Sequence, residues 1–560
     1  MSLRTSRVTT QAWIVAALAV LPAAAPPSLL AQRVATAPAS LVAQRVAGAP
    51  AEWWRSAVCY EVFIRSFADA NGDGIGDLRG LMARLDYIND GNPRTTRDLG
   101  ANCIWLMPVA QSPSYHGYDV TDYYHVEADY GTDADFKALM RAAHRRGIHV
   151  LVDFVPNHSS SEHPYFQAAL RDTTSPYRAW YRWSREKPAQ IGPWGQPIWH
   201  KSPVRDEYYY GVFWSGMPDL NFDTPAVRRE MEKVAAYWVR EMGADGLRAD
   251  AVPYLVERGD SLAHTTGTHD VLRELATSLR LTAPGAFTVG EVSDTSVPIV
   301  TSYYPDQLDD YFAFGVAEAT IDAAKTGNAT RFQTAVSDAN ARYPEGRWSP
   351  FLTNHDHVRA MTQLGGNMSQ ARVAATAMLL LPGMPFVYYG EEIGMRGDKP
   401  DEQLRTPMQW SATAGAGFTR GKPWEPPQPD WRTVNVAAQT ADSRSLLSLY
   451  RTLIHLRLAH PALTSGTLAM AASADTTVAA FVRATPSETA IVVVNFAERA
   501  LERVDVALDP SVCAARTCRV QTLYGAGRAA IARDSLGGVT TLTVRGMRAR
   551  EGLVLRVVGK

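Results

Sequence analysis

Apolar strand-like runs alternate with amphipathic helical patterns along most of this chain. From residue 57 onward, helical spacing at 78–89 and 133–146 separates "VCYEVFI", "NCIWLMPV" and "GIHVLVDFV". The alternation resumes with "GADGLRAD", "FTVGE", "SPFLTN" and "MPFVYYG", and a weaker strand candidate lies at 311–314. Nearly continuous apolar strands joined by helices predict a parallel sheet covered by helices. Eight such units over roughly 400 residues predict an α/β fold, the (β/α)8 TIM barrel.

Two segments interrupt this alternation. Residues 158–223 are rich in Trp, Tyr, Pro and Gly and are too long for an ordinary connection, which predicts an inserted subdomain (domain B) after the third strand. After residue 460 the helical pattern gives way to short β-rich runs such as "TVAAFVRA" and "TAIVVVNF". These runs predict a C-terminal all-β domain, a β-sandwich over 461–560. The barrel itself is therefore expected at 51–157 and 224–460.

The N-terminus has the features of an export signal. Arg4 and Arg7 precede an apolar run at 12–21 and small residues at 23–25. This run is too short to span a membrane, so we interpret 1–25 as a signal peptide and 26–50, with its near-duplicate "LLAQRVATAP" and "LVAQRVAGAP", as a disordered linker. We expect a secreted or periplasmic monomer with no membrane attachment after signal cleavage.

The charge balance limits the classes of binding partner, and the cysteine content bears on the cellular compartment. With 56 Lys and Arg against 57 Asp and Glu, nothing in the charge balance attracts nucleic acid. Cys513 and Cys518 in "CAARTC" are predicted to form a disulfide, with two free thiols as the alternative. Cys59 and Cys103 lie in apolar strand-like runs and are predicted to be buried thiols.

Polar residues follow several of the predicted strands. In a barrel, the loops after the strands converge on one mouth, so residues there are site candidates. A single Asp or His at a strand end is more often a cap or a structural hydrogen-bond partner, but three carboxylates at one mouth indicate a site. The candidates are Asp153, Asn157 and His158 after the third strand, Arg248 and Asp250 at the fourth, Glu291 at the fifth, and His355 and Asp356 at the seventh.

Paired carboxylates suit the cleavage of a glycosidic bond, because one attacks the anomeric carbon while the other protonates the leaving oxygen. Arg248 lies two residues before Asp250 and so faces the same side of the strand, where its charge would keep Asp250 ionised as a nucleophile. Glu291 needs a raised pKa to act first as acid and then as base. Without an HExxH pair or a CxxC element, His158, His355 and His357 do not favour a catalytic zinc site.

Four segments carry a family resemblance. "DFVPNHSS" (153–160), "GLRADAVPYL" (246–255), "VGEV" (289–292) and "FLTNHDHVR" (351–359) resemble the four conserved regions of the α-amylase superfamily, glycoside hydrolase family 13. The likeness runs from about residue 53 to the C-terminus, in the family's order. It implies that Asp250 is the nucleophile, Glu291 the acid/base and Asp356 the carboxylate that stabilises the transition state. It also implies sugar-binding roles for Tyr118 (in "HGYDVTDYY"), His158, Arg248 and His355.

The stretch "DANGDGIGDLRG" (69–80) is similar to an EF-hand loop. Oxygen ligands match positions 1, 3, 5, 7 and 9, but Gly80 replaces the Glu at position 12. The alternative is an Asp/Gly turn whose carboxylates face water. Relatives of oligo-1,6-glucosidase have such a loop, so the resemblance implies a structural Ca2+. Its ligands would be Asp69, Asn71, Asp73, the Ile75 carbonyl and Asp77.

The substrate is less sharply indicated. "MPDLN" (217–221) resembles the group intermediate between oligo-1,6-glucosidases and neopullulanases, and neighbouring segments look like secreted α-amylases of that group. Ala251, where a Val is associated with α-1,6 preference, favours α-1,4 bonds. Asp119 and Arg405 could pair to close the glycone end, or form an ordinary salt bridge. We therefore expect a retaining, transglycosylating hydrolase of starch or malto-oligosaccharides.

Three alternatives stay open at this point. The first is an exo-acting α-glucosidase or oligo-1,6-glucosidase. The second is a trehalose synthase-like isomerase, because "DAVPYL" also occurs in such proteins. The third is a non-catalytic sugar-binding protein, which is disfavoured because all three carboxylates are present.

Overall fold

A computed structural model describes residues 52–513, 518–533 and 540–559. The predicted signal peptide and linker lie outside these residues. Within them, no helix combines the length and the apolar character needed to cross a membrane.

The strands and helices follow the alternation expected from the sequence. The strands are β1 (Cys59–Val62), β2 (Cys103–Leu106), β3 (Ala110–Gln111), β4 (Asp122–Val126), β5 (His149–Phe154), β6 (Trp183–Ser184), β7 (Trp199–Lys201), β8 (Tyr208–Tyr210), β9 (Gly246–Ala249), β10 (Phe287–Gly290), β11 (Asp310–Tyr311), β12 (Phe386–Tyr388), β13 (Thr467–Ser473), β14 (Val478–Ala484), β15 (Thr489–Asn495), β16 (Leu501–Leu508), β17 (Cys518–Tyr524), β18 (Arg528–Arg533), β19 (Thr540–Met547) and β20 (Glu551–Gly559). The helices are α1 (Ile64–Phe67), α2 (Leu78–Ala83), α3 (Leu85–Ile88), α4 (Asp133–His144), α5 (Pro164–Arg171), α6 (Pro225–Arg240), α7 (Thr266–Thr282), α8 (Val297–Thr301), α9 (Phe314–Thr326), α10 (Thr330–Arg342), α11 (Ala360–Gln363), α12 (Met368–Leu379), α13 (Asp401–Leu404), α14 (Val436–Thr440), α15 (Leu446–Ala459) and α16 (Pro461–Thr464). Short 3-10 helices occur at Trp53–Ser56, Ala128–Tyr130, Arg178–Trp180, Val252–Tyr254, Glu391–Ile393, Ala414–Gly417 and Pro510–Cys513.

Seven strands of the described chain form a parallel sheet in the order β11-β10-β9-β5-β2-β1-β12. The seventh predicted strand is reduced to a bridge between Phe312 and Ser349. The Ser349 amide donates to the Tyr311 carbonyl at 3.0 Å, and the Phe386 amide donates to the Pro350 carbonyl at 2.9 Å. The chain at 349–350 therefore joins β11 to β12 and closes the sheet. The predicted (β/α)8 TIM-barrel class is confirmed.

The insert after the third barrel strand contains, in its described residues, a three-stranded antiparallel sheet in the order β6-β8-β7, and the helix α5. Aromatic side chains form much of its interior. Phe166 packs against Trp183 and Tyr209, with ring centroids 5.7 Å and 5.0 Å away. The Arg178 guanidinium covers the Trp183 ring at 3.6 Å. The Trp and Tyr content of this segment thus serves packing in part.

Apart from α16 and the 3-10 helix at Pro510–Cys513, the described part of the C-terminal region consists of strands, as expected. Eight antiparallel strands have the order β17-β20-β15-β14-β13-β16-β19-β18. Strand β13 pairs with β14 through 467–471 and with β16 through 472–473, so it joins the two halves of the sheet. A separate apolar cluster, including Val493, Val506 and Leu542, lies between these halves.

Two buried arginines connect this region to the barrel. Among the described residues neither Arg457 nor Arg483 has an acidic partner, and both are fully buried. Arg457 donates to the carbonyls of Leu379 and Gly383, at 2.8 Å and 2.5 Å, and Arg483 donates to the Leu380 carbonyl at 2.9 Å. The last carbonyls of a helix have no hydrogen-bond donor within the helix. These arginines supply such donors at the C-terminal end of α12.

The cysteine pairing differs from the prediction. Cys59 and Cys103 form a disulfide, so the prediction of two buried thiols is wrong. The reason is register: β1 and β2 are adjacent parallel strands in which Cys59 lies directly opposite Cys103, with Cα atoms 4.2 Å apart. The predicted bond between Cys513 and Cys518 is confirmed. None of the four cysteines, all within the described residues, is free.

Candidate active site

The carboxylates predicted from the strand ends lie around one cavity of about 640 Å³. Asp250 follows β9, Glu291 follows β10, and Asp356 lies after the bridge at Ser349; all line this cavity. A larger cavity of about 950 Å³ lies beside segment 410–421, but Asp69 is its single carboxylate. The first cavity is therefore the candidate active site, because chemistry on a glycosidic bond needs more than one carboxyl group.

Arg248 connects the carboxylates. Its side chain is fully buried; Nη1 lies 2.6 Å from Asp250 Oδ1, and Nη2 lies 2.8 Å from Glu291 Oε2. Nη1 also donates to Asp153 Oδ1 at 2.9 Å. Arg248 and Asp250 project to the same side of the chain, as their two-residue spacing predicts. Buried charges persist only when they are paired, and here one guanidinium pairs with a group of carboxylates.

The environments of Asp250 and Glu291 raise both pKa values. Burial raises the pKa of Asp250 to about 6 against the opposing charge of Arg248, and the nearby Asp153 and Asp356 add to the rise. Arg248 thus favours the ionised form, as expected, but does not overcome burial; Asp250 is ionised only above about pH 6. Burial also raises the pKa of Glu291. This is the direction that a carboxyl group needs in order to donate a proton near neutral pH.

Asp356 has the opposite character. Although enclosure in the cavity disfavours its charge, His355 and Arg405 hold the pKa of Asp356 well below its usual range. His355 Nε2 lies 3.2 Å from Asp356 Oδ2, and Arg405 Nη2 lies 2.8 Å from Oδ1. The carboxylate still exposes 44% of its side chain, toward the cavity. Asp356 is therefore a fixed negative charge that faces any bound substrate.

His355 is a cation in this arrangement. Burial alone would lower its pKa, but the carboxylates of Asp356 and Glu61 outweigh burial and raise the pKa to about 10. Its Nδ1 lies 2.7 Å from Glu61 Oε1, and its Nε2 lies 2.6 Å from the Tyr118 hydroxyl. Tyr118 in turn donates to Asp153 Oδ2 at 3.0 Å. These contacts form a continuous polar network beneath the cavity.

His158 stays neutral. Burial lowers its pKa to about 3, and the nearby His116 acts in the same direction. Its Nε2 is buried, and no partner for it exists within the described chain. Since His158 lines the cavity, this nitrogen is free to bond a ligand hydroxyl.

Asp119 and Arg405 do not pair, although the structure describes both. Asp119 Oδ1 accepts from the Ser112 hydroxyl at 2.7 Å and also from the Ser114 hydroxyl. Arg405 contacts Asp356, and also Asp401 at 3.2 Å. Arg405 lines the cavity. The hypothesis of an ion pair that closes the glycone end is therefore not supported by this geometry.

Several residues of the cavity lining, and one residue of the polar network beneath it, were not selected from the sequence. Glu61 lies at the end of β1, is almost fully buried and orients His355; its only signal was a charge inside the apolar run "VCYEVFI". Asp401 gave no strand-end signal because it begins a short helix in the long segment after β12. Trp194 and Tyr254 line the cavity too, from the insert and from the turn after β9.

The EF-hand-like loop folds around its first aspartate. The Asp69 carboxylate accepts from the Gly72 amide at 2.6 Å and from the Gly74 amide at 2.8 Å. Asp77 caps α2 by accepting from the Gly80 amide at 2.7 Å. The loop's own amides thus satisfy part of the acceptor capacity that a cation would need.

Two of the remaining expected ligands are also engaged locally. Asn71 and Asp73 accept from amides two residues further on, in Asx turns, and the second of these amides belongs to Ile75. Across the described residues, no three or more His, Cys, Asp or Glu side chains come together in a way that could hold a metal ion. The expected ligand set also contains an amide oxygen and a main-chain carbonyl, and calcium in this loop stays a prediction.

The chain matches a known family model and known proteins over most of its length. The family model described as "Alpha amylase, catalytic domain" matches residues 61–466. Alpha-amylase 3 of Dictyoglomus thermophilum is 36% identical over 449 residues, which cover 79% of this chain and 85% of the relative. Oligo-1,6-glucosidase of Parageobacillus thermoglucosidasius is 31% identical over 523 residues, 80% of this chain and 91% of the relative.

A further relative and a solved structure complete the comparison. Trehalose synthase/amylase TreS of Mycobacterium tuberculosis is 35% identical over 491 residues, 77% of this chain and 79% of the relative. The crystal structure of an alpha-amylase from H. orenii superimposes with a TM-score of 0.79 at 38% identity, covering 90% of this chain and 99% of that one. With this coverage and the closed barrel, the chain belongs to the alpha-amylase family of glycoside hydrolases and is a glycosidase.

Proposed function

We propose that this glycosidase cleaves α-1,4-glucosidic bonds of starch or malto-oligosaccharides with retention of configuration, and also transfers glucosyl groups to sugars. The observation that carries the proposal is the arrangement of Asp250 and Glu291 on the two terminal nitrogens of Arg248, with Asp356 in the same cavity. Carboxyl groups about 5–5.5 Å apart suit retention, whereas inversion needs about 6.5–9.5 Å to admit a water. Bridging by one guanidinium favours the shorter separation.

The roles follow from the charges. Asp250, ionised above about pH 6, attacks C1 of the sugar and forms a β-glucosyl ester, while the glycosidic oxygen leaves with the proton of Glu291. The Glu291 carboxylate then removes a proton from water or from a sugar hydroxyl, whose oxygen attacks C1 and releases Asp250. Two inversions at C1 restore the α configuration.

The other polar groups support the charge that develops on the sugar. The transition state is oxocarbenium-like, and the fixed negative charge of Asp356 faces the cavity in which it forms. Arg405 and the imidazolium of His355 keep Asp356 ionised. The unpartnered Nε2 of neutral His158 is suited to a sugar hydroxyl.

A product time course on soluble starch, maltotriose, maltose and isomaltose tests the proposed activity. NMR follows the anomeric configuration of the products. We expect early mixed oligosaccharides from starch, in the α configuration, and slow attack on isomaltose. This result requires an open glycone end, which agrees with Asp119 and Arg405 having separate partners. Products in the β configuration would contradict the proposal.

Two other product patterns would instead favour the alternative activities. Glucose from short substrates with starch left intact would indicate an exo-acting α-glucosidase or oligo-1,6-glucosidase. Trehalose as the main product from maltose would indicate an isomerase, a possibility raised by the relative named trehalose synthase/amylase.

We also propose a structural Ca2+ in the loop 69–80, bound by the side chains and the main-chain carbonyl expected from its spacing. A ligand that binds the folded state alone stabilises it by RT ln(1 + [L]/Kd), so millimolar Ca2+ should raise the Tm by about 2 °C or more over a chelator. Differential scanning calorimetry measures this shift. Asp69→Asn/Asp73→Asn should abolish it, and Mg2+ at equal ionic strength should not reproduce it; equal Tm values with Ca2+ and with chelator would exclude the site.

Export is proposed as well. Two disulfides, Cys59–Cys103 and Cys513–Cys518, suit an oxidising compartment such as the periplasm or the extracellular medium. They agree with the signal peptide expected at 1–25, and we propose that the mature protein is a monomer.

A further inference from the structure

A buried carboxylate lies beneath the active-site cavity and outside its lining. Glu61 belongs to β1 and is 1% exposed. Among the described residues its side chain accepts hydrogen bonds from His355 alone, and Oε1 lies 2.7 Å from His355 Nδ1. Burial raises the pKa of Glu61 and His355 opposes that rise, so the proton between them stays on the imidazole, which is the stronger base. A buried charge needs a partner, and His355 is that partner.

Both nitrogens of the His355 ring face carboxylates. Nδ1 faces Glu61, whereas Nε2 lies 3.2 Å from Asp356 Oδ2 and 2.6 Å from the Tyr118 hydroxyl. An ionised carboxylate only accepts hydrogen bonds, so each ring nitrogen must carry a proton to satisfy its neighbour. The ring is then a cation. Burial alone would lower its pKa, but Asp356 and Glu61 outweigh burial and raise it to about 10.

The second ring proton sets the direction of the hydrogen bonds around it. A protonated Nε2 donates to Tyr118, whose own hydroxyl proton is then free to be donated to Asp153 Oδ2 at 3.0 Å. Without that proton, a lone pair would face the Asp356 carboxylate, and the Tyr118 hydroxyl would turn from Asp153 toward the ring. Asp356 would then keep a cation on one oxygen only, where Arg405 lies at 2.8 Å.

The other charged groups nearby do not replace Glu61. The charged or titratable side chains that face Glu61 and His355 from the surrounding elements are Asp153, Arg248, Glu291, Asp356, His357 and Arg405. Asp153 and Glu291 already pair with Arg248. The two guanidiniums oppose a further cation, and burial lowers the pKa of His357, which keeps that ring neutral. Glu61 is therefore the described carboxylate that pairs with His355 and with no other cation.

We propose that Glu61 is a positioning residue, which keeps His355 doubly protonated and so keeps Asp356 in place as a negative charge when the medium becomes alkaline. An amide oxygen at this position could accept the same hydrogen bond from Nδ1, but only a carboxylate favours the second proton on the ring. The inference rests on the proposed function, because that function assigns Asp356 to the stabilisation of the transition state.

The test uses Glu61→Gln, which keeps the size and the acceptor of the side chain and removes its charge. The substrate is α-glucosyl fluoride, because fluoride leaves without a proton and the ionisation of Glu291 does not limit the first step. Wild-type kcat/KM should vary by less than about twofold between pH 7 and pH 9. The kcat/KM of the variant should lie within about threefold of wild type near pH 6.5, and fall by about fivefold or more from pH 7 to pH 9 as His355 loses its second proton.

Glu392→Gln is the matched control. Glu392 is also a buried glutamate, but it accepts from the hydroxyls of Tyr60 and Tyr87, at 2.6 Å each, and does not contact His355. Its kcat/KM on α-glucosyl fluoride should stay as constant between pH 7 and pH 9 as that of the wild type. A constant value in Glu61→Gln, or an equal alkaline decline in both variants, would overturn the role of Glu61.

A second measurement leaves Glu61 in place. In wild-type protein labelled with 15N-histidine, the two ring nitrogens of His355 should resonate close together at pH 8, as in an imidazolium, and not far apart, as in a neutral ring. The spectrum of His355→Gln assigns these signals by their absence. A neutral ring at pH 8 would overturn this inference alone. Wild-type protein that turns over neither α-glucosyl fluoride nor maltotriose would overturn the proposed function, and the catalytic role of Glu61 with it.

Discussion

Asp250→Asn should lower the turnover of maltotriose by about 10⁴-fold or more, while the protein stays folded. The amide cannot form the glucosyl ester. Arg248 Nη1 also bonds Asp153, but among these two carboxylates only Asp250 lines the cavity. Initial rates with a glucose-release assay measure the loss. Wild-type-like turnover would refute the assignment of Asp250 as nucleophile.

The same variant should not be destabilised. In the folded protein the pKa of Asp250 is raised to about 6, mainly by burial, so the folded state binds this proton more tightly than the unfolded state does. Ionised Asp250 therefore opposes folding above about pH 6, and this effect disappears below its unfolded pKa of about 3.9. Asn carries no charge, so the Tm of the variant should equal or exceed the wild-type Tm at about pH 7 and converge with it near pH 4.

A matched control separates chemistry from general damage. Asp270→Asn removes an exposed carboxylate on α7 that pairs with Arg273 and does not line the cavity. We expect wild-type turnover and Tm from it. A large drop in the Tm of Asp250→Asn, unmatched in this control, would show that Asp250 is primarily structural.

Glu291→Gln should lower maltotriose hydrolysis by about 10²–10⁴-fold and affect the first step on α-glucosyl fluoride much less. Fluoride leaves without a proton, whereas a sugar alkoxide does not. The second step then lacks its base, so the glucosyl-enzyme should accumulate and give a burst. Azide, which needs no deprotonation, should restore turnover and yield α-glucosyl azide, detectable by mass spectrometry and NMR.

The pH profile tests the assignments of Asp250 and Glu291 independently. Wild-type kcat/KM should fall as the pH drops through about 6, because Asp250 becomes protonated, and fall again as the pH rises through the raised pKa of Glu291. In Glu291→Gln the second decline should be missing from the residual activity on maltotriose, whose leaving group needs a proton. Glu318→Gln, which breaks an exposed ion pair with Arg331, should keep both limbs. Persistence of the high-pH limb in Glu291→Gln would assign it to another group.

The barrel was predictable because its strands are short, apolar and regularly spaced by helices. The exception is the seventh strand, which is reduced to a bridge at Ser349. The next residue, Pro350, has no amide hydrogen to donate to a neighbouring strand. The candidate site was predictable for a related reason. Parallel strands end at one mouth, so Asp250, Glu291 and Asp356 had to converge once the strand order was correct.

What the sequence did not reveal depends on contacts between distant segments. The bond between Cys59 and Cys103 follows from the register of two neighbouring strands, which neither apolar run contains alone. Asp119 and Arg405 were plausible partners by charge, but nearby serines and Asp356 are closer. The role of Glu61 emerges only when β1 is placed beside His355.

The two buried arginines bear on how this chain can be recombined with its relatives. Arg483 belongs to β14, yet it donates a hydrogen bond to the Leu380 carbonyl at the end of a barrel helix. Arg457 donates to the neighbouring carbonyls. A chimera that exchanged the terminal β region without a matching arginine would leave a main-chain acceptor dehydrated inside the molecule. Barrel and terminal region are therefore expected to be inherited and engineered as one unit, with crossovers tolerated only where this guanidinium is kept.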